Sequence, residues 1–412
     1  MTSTLPLEGV QIISLAHQYP GPFATMMLSD LGADVVVVEG PDGGDPTRAF
    51  PPFHSALARG SRSIALNLKS DGGREALRLL LRDADALLEG FRPGAMARLG
   101  LDATAVRRDF PQLVYVSISG FGQTGPNRHR SGHDLTYQAE AGMLYEHLPP
   151  APPPPAPSLA LGDLSAGMFA AQAVLVGLYQ RSGTGRGCTI DVSMVDCLST
   201  LLTCHTGPVV NGTGSPGFPY EPGYGVFVTS DDAHLALAVA HENHFWRALC
   251  NLTGLIAERN LDSAGRFLNH ARLRSALQTA IATRPLAEWQ RLLTDADVPF
   301  GRLRSLEELP DTPQSTARGT FAGPLDSPSG PTVHVRQPLV VDGCAPRPRR
   351  GTPALGEHTV EVLARAGMDE DTISALLASG SAAQPGAAAN PPHPRASSAS
   401  SASSASSDQR RS

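Results

Sequence analysis

Four consecutive valines, Val35-Val36-Val37-Val38, constrain the fold of this chain more than any other stretch. In a strand successive side chains point to opposite faces, so an unbroken β-branched run must be covered on both sides. Helices packed on each face of a parallel sheet provide that cover. The flanking residues supply the rest of a βαβ unit. Val10-Gln11-Ile12-Ile13-Ser14-Leu15 reads as a strand, Tyr19-Pro20-Gly21-Pro22 as a turn, residues 23–31 as a helix, and Gly32-Ala33-Asp34 as its stop. Further strands are predicted at residues 63–68, 86–89, 113–119 and 188–194, with helices between them. The fold class is α/β, with a Rossmann-like, doubly wound parallel sheet in a large domain.

The pattern changes near Val209. Residues 206–224 are rich in Asn, Gly, Pro and Tyr and read as a linker after a first large-domain segment, residues 1–205. Residues 225–320 read as a smaller α+β domain, with a hairpin (residues 225–229 and 234–240) and helices near 242–252, 270–283 and 286–295. A well-patterned helical stretch returns before residue 380, and residues 381–412 form an Ala, Ser and Pro tail with too little apolar surface to order itself. The proline run at residues 148–157 reads as an extended surface spacer.

Composition excludes several function classes. A net charge of −6 lacks the basic surface that nucleic-acid binding requires. The five cysteines are scattered without metal-ligand spacing, which predicts reduced thiols, no metal site and a cytoplasmic location. The N-terminus shows no signal-peptide pattern, and no uninterrupted apolar run reaches membrane-spanning length. The turn after the first strand lacks GxGxxG, and GxxxxGK[ST] is absent, so the sheet is Rossmann-like without the usual nucleotide fingerprints.

The chemistry concentrates in residues 132–167. This stretch holds Gly132-His133-Asp134-Leu135-Thr136-Tyr137 and, beyond the prolines, Leu161-Gly162-Asp163-Leu164-Ser165-Ala166-Gly167. The apolar run after Asp163 predicts a buried helix, for which Asp163 reads either as an N-cap or as a reactive carboxylate. His17, His205, His234, His241 and His244 lack comparable partners and read as structural.

Several blocks together resemble the class III CoA-transferase superfamily, which also includes alpha-methylacyl-CoA racemases. They are Leu7-Glu8-Gly9-Val10, Gly21-Pro22-Phe23-Ala24, Asp30-Leu31-Gly32-Ala33-Asp34-Val35, Gly44-Asp45-Pro46-Thr47-Arg48, Phe91-Arg92-Pro93-Gly94, Arg98-Leu99-Gly100-Leu101, residues 119–126, the Asp163 segment and Leu355-Gly356-Glu357-His358-Thr359. The resemblance implies a large domain built from both ends of the chain, with residues 321–380 as the return segment. It also implies an interlocked homodimer and an acyl-CoA substrate, with no cofactor beyond the CoA that the substrate carries.

Within that superfamily, racemases are similar to this chain at Gly132-His133-Asp134, at Glu89-Gly90-Phe91 and at Glu242 before an aromatic pair. The resemblance therefore implies His133 and Asp163 as two bases at C2 of a 2-methylacyl-CoA, with Glu242 orienting the imidazole and backbone N–H groups after Asp163 steadying the enolate. A histidine titrating near neutrality suits either proton direction. For CoA it nominates Leu66 and Lys69 beside the adenine and ribose, Phe91 and Arg98 along the pantetheine or phosphates, and Arg48, Arg92 or Arg130 for the phosphates. The alternative is a CoA-transferase in which Asp163 is the nucleophile and His133 a bystander.

Overall fold

The computed structural model describes residues 5–144, 156–214 and 221–386. Residues 148–155 of the proline run, part of the linker and residues 387–412 of the tail lie outside the described residues. The large sheet has seven strands: β1 (Gln11–Leu15), β2 (Asp34–Glu39), β3 (Arg62–Leu66), β4 (Ala86–Glu89), β5 (Val114–Ser119), β6 (Thr189–Ser193) and, from the far end of the chain, β12 (Ala382–Ala383). Its order is β12-β3-β2-β1-β4-β5-β6, parallel throughout except for β12. Chain direction across the sheet reverses between β1 and β4, which is the switch point where open α/β sheets bind ligands.

The valine run behaves as its pattern requires. Val36 and Val38 join one core with Ile13, Leu15, Ile64 and Leu87, while Val35 joins the opposite core with Ile12, Leu88 and Val116. Helices Thr359–Arg365 and Glu370–Ala378 lend Val362, Leu363, Ile373 and Leu376 to the first core, so residues beyond 350 cover a sheet begun at residue 11. The second core is covered by helices Pro20–Asp30 and Leu161–Thr184. The latter has the length and apolarity of a membrane span, and half of that window is buried inside the protein.

The second unit is built on an antiparallel sheet of β7 (Tyr224–Val228), β8 (His234–Ala238) and β9 (Phe300–Arg302). Helices Asn243–Thr253, His270–Ile281 and Leu286–Asp295 close a core around Trp246 and Trp289. A hairpin of β10 (Phe321–Leu325) and β11 (Thr332–Val335) lies on the way back to the large sheet. Two features depart from the sequence reading. The three-residue β9 is too short to carry a periodic signal. Residues 381–383, read as the start of the tail, are buried or nearly so, and Ala382 and Ala383 pair with Leu66 and Ala65. Two small residues suffice there because backbone hydrogen bonds to an existing edge, not side-chain burial, hold them.

An ion pair ties the two ends of the chain together. The Arg59 guanidinium meets the Asp30 carboxylate at 2.9 Å and donates to the carbonyl of Val335 on β11 at 2.7 Å. Both side chains are fully buried, and burial pushes the Asp30 carboxyl up despite the guanidinium. Removing the cation leaves an uncompensated buried charge, so Arg59→Met is expected to cost about 3–5 kcal/mol in chemical denaturation. A loss below about 1 kcal/mol would contradict this role.

Candidate active site

A cavity of about 590 Å³ opens at the carboxyl ends of β1, β4 and β5, a volume in the range of small-molecule sites. Leu15 ends β1, Gly90 follows β4, and Ser119 ends β5; all three line it. His133 and Asp163 line the same cavity although the proline run separates them in sequence. Phe91, Arg92 and Arg130 are also in its wall.

The amino end of helix Leu161–Thr184 forms one side of this cavity, and Asp163 stands in its first turn rather than at the cap. The capping carboxylate is Asp134. Its Oδ1 accepts from the backbone N–H of Gly162 at 2.7 Å and of Asp163 at 3.3 Å, and its Oδ2 accepts from Gln138 Nε2 at 2.6 Å. A Cβ on residue 162 would stand 2.9 Å from Asp134 Oδ1, so the close approach requires glycine there. Asp134 itself opens the short helix Asp134–Glu140, directly after His133, and Thr136 closes the turn by accepting from the His133 N–H and donating to its carbonyl. One motif thus carries both the histidine and the cap that seats the second acid.

Burial raises the Asp163 carboxyl to about 7, and the neighbouring Asp134 charge adds to the rise. At neutral pH Asp163 is therefore shared between its acid and base forms. The same causes keep the phenols of Tyr19 and Tyr137 protonated: burial raises both, and the Asp163 charge raises them further.

The remaining residues singled out from the sequence separate into several groups. Glu242 caps helix Asn243–Thr253 in the second unit and is not among the residues lining the cavity; one of its carboxylate oxygens is buried without a partner among the described residues. One chain therefore does not bring it to His133. Arg48 is committed elsewhere: its Nε and Nη2 meet Glu39 Oε1 and Oε2 at 2.7 and 2.6 Å. Burial would raise the Glu39 carboxyl, but Arg48, Ser63 and the Asp45 N–H outweigh it and hold it low. Arg48 thus serves the scaffold and is not free for phosphate. Leu66 is buried in the core, so its side chain offers no surface to a nucleotide. Lys69 and Arg98 are exposed and outside the cavity wall. Arg130 lines the cavity while paired with Glu140 at 2.6 Å and stacked over Phe121.

The backbone donors expected after Asp163 are also in use. The Leu164 N–H is bonded to the Ala160 carbonyl at 2.9 Å, and those of Gly162 and Asp163 belong to Asp134. Asp134 and Tyr137 were not assigned a role from the sequence, though both sit within four residues of His133. Among the described residues no cluster of three or more His, Cys, Asp or Glu is placed to hold a metal.

The model of CoA-transferase family III matches residues 7–359. The chain belongs to this family. A family member from Acetobacter aceti, acetyl-CoA:oxalate CoA-transferase, is 35% identical over 86% of this chain and 94% of its own length. The alpha-methylacyl-CoA racemase of Mus musculus is 32% identical over 90% of this chain and 96% of its own. Among solved structures, a CAIB/BAIF family protein from Brucella suis superposes with a TM-score of 0.78 at 29% identity, covering 88% of this chain and all of that one. This family III chain is thus similar both to enzymes named for moving CoA and to enzymes named for inverting a stereocentre.

The raised carboxyl predicts a signed pH effect. Because the folded pKa of Asp163 lies above its unfolded value, the contribution is favourable below about pH 4 and is lost as pH rises through 7. Asp163→Asn should therefore raise the melting temperature more at pH 8 than at pH 5. An equal shift at both pH values would contradict the raised carboxyl.

Proposed function

We propose that the chain inverts the configuration at C2 of a 2-methylacyl-CoA by two-base proton transfer. The observation that supports this most is that His133 and Asp163, carried by separate elements, line one cavity with an Asp163 carboxyl near 7. A C–H bond next to a thioester carbonyl is a weak acid, so its cleavage needs a placed base and a stabilised enolate oxygen. One base takes the proton from C2, the electron pair moves onto the thioester oxygen, and the other base returns a proton to the opposite face. A carboxyl near 7 can both take and return a proton near neutrality, and an imidazole has one nitrogen to accept a proton and another to donate one, so either residue can serve as acid or base.

CoA arrives as part of the substrate, its pantetheine passing Phe91 and its phosphates meeting Arg92 in the cavity wall, with Lys69 exposed for the adenine and ribose and Arg98 exposed along the same track. A homodimer would supply Glu242 from the second copy. Support comes from the apolar residues that helix Leu161–Thr184 leaves exposed, Met168, Val176 and Tyr179. All five cysteines are free, in keeping with a cytoplasmic enzyme.

A second reading is favoured by the 35% identity to a CoA-transferase. There the Asp163 carboxylate attacks the thioester carbonyl and CoA leaves as thiolate. The thiolate then attacks the Asp163 carbonyl of the mixed anhydride, which releases the first acid and leaves CoA on Asp163 as a thioester, and a second carboxylate takes up the CoA by the reverse of these steps. The Asp163 carboxyl accepts no hydrogen bond among the described residues, which leaves it open to either role.

Incubating a 2-methylacyl-CoA with enzyme in deuterium oxide separates the two readings. Epimerisation predicts deuterium at C2 without any acceptor acid, falling about 100-fold or more in His133→Ala and in Asp163→Ala. Thioester turnover that depends strictly on an added carboxylate, with no deuterium at C2, would overturn epimerisation in favour of transfer.

A further inference from the structure

The N–H groups of Gly162, Asp163 and Leu164, at the helix end beside His133 and Asp163, are already bonded, so none of these three is a free donor for a developing oxyanion. A weak carbon acid cannot be deprotonated at useful rates without such a donor. The hydroxyl of Tyr137, a neutral side chain in the wall, can supply one. Tyr137 lies four residues after His133, within the helix that His133 precedes, and both line the cavity. Its ring is buried and packs edge-on against Phe121, with centroids 5.5 Å apart.

The backbone has been cut away to admit this ring. A Cβ at residue 120 would fall 2.5 Å from the Tyr137 hydroxyl, and one at residue 132 would fall 2.5 Å from its ring, so glycines stand at both positions. The hydroxyl makes no hydrogen bond among the described residues and is not one of the buried polar atoms lacking a partner, so it faces the cavity. A structural tyrosine would normally use its hydroxyl on a protein acceptor, as Tyr115 does on the Leu101 carbonyl at 3.1 Å.

We propose that Tyr137 is a catalytic residue whose hydroxyl donates a hydrogen bond to the thioester oxygen of the substrate and holds the negative charge that oxygen gains as the enolate forms. The proposal rests on the enolate chemistry given above as the function of this cavity. The proton stays on the phenol throughout: the base takes only the C2 hydrogen, and the oxygen receives a hydrogen bond rather than a proton. Burial and the Asp163 charge both hold the phenol above its ordinary value, which keeps it a donor across the working pH range.

The test uses acetoacetyl-CoA, whose bound enolate is visible by ultraviolet absorbance without turnover. Wild type and Tyr137→Phe are titrated with this ligand across pH, and kcat and KM are measured with a 2-methylacyl-CoA. The expected result is that Tyr137→Phe binds acetoacetyl-CoA with similar affinity but forms the enolate at a pH at least one unit higher. Its kcat should fall about 100-fold while KM changes little. The substitution removes one oxygen that has no partner among the described residues, so the melting temperature should be unchanged. Tyr137→Leu, which removes the ring, controls for packing and should lower that temperature. Identical enolate titration in wild type and Tyr137→Phe would overturn the role of Tyr137 and leave the site's function standing. Binding of acetoacetyl-CoA to wild type with no enolate at any pH would overturn both.

Discussion

The Asp134 carboxylate closing the amino end of helix Leu161–Thr184 is the contact on which the rest of the site depends. The first N–H groups of any helix lack intrahelical partners and carry the positive end of its dipole, so a carboxylate placed there is stabilised. Here that carboxylate comes from the residue next to His133, across a long separation in sequence. The hydrogen bonds therefore fix two catalytic candidates relative to one another. They also leave Asp163 beside a second negative charge in a partly buried place, which moves its carboxyl from an ordinary acid to one that titrates near neutrality.

The scaffold explains why such a pair is possible. The reversal between β1 and β4 opens a crevice at the carboxyl ends of the strands, and the glycine that follows β5 makes room there for the Tyr137 ring. The cavity wall comes from loops, but each loop is anchored to a strand buried on both faces. The second unit, Glu242 included, contributes no residue to the wall of this cavity.

Much of the fold could be read from the residues because the signals were strong and local. A four-valine run admits few alternatives, and a hairpin followed by three amphipathic helices is equally plain. The edge strand at Ala382–Ala383 could not be read, since two alanines carry no periodic signal and the pairing partner lies more than 300 residues away. For the site, His133 and Asp163 were legible through the motifs around them. The commitment of Arg48 to Glu39 and the burial of Leu66 were not, because motif identity says which residue stands at a position but not which neighbour claims it. Asp134 stands in the same Gly-His-Asp motif, but its capping role depends on a helix end 28 residues away and is not written in the motif.

The central claim is that Asp163 is tuned to neutrality by its burial and by the carboxylate that caps its helix. A carboxyl-carbon NMR titration of Asp163 in the wild-type protein and in Asp134→Asn tests it most directly. The expected result is a wild-type midpoint near 7 that moves clearly downward when the neighbouring charge is removed. A wild-type midpoint near 4, the ordinary range of an aspartate, would contradict the claim.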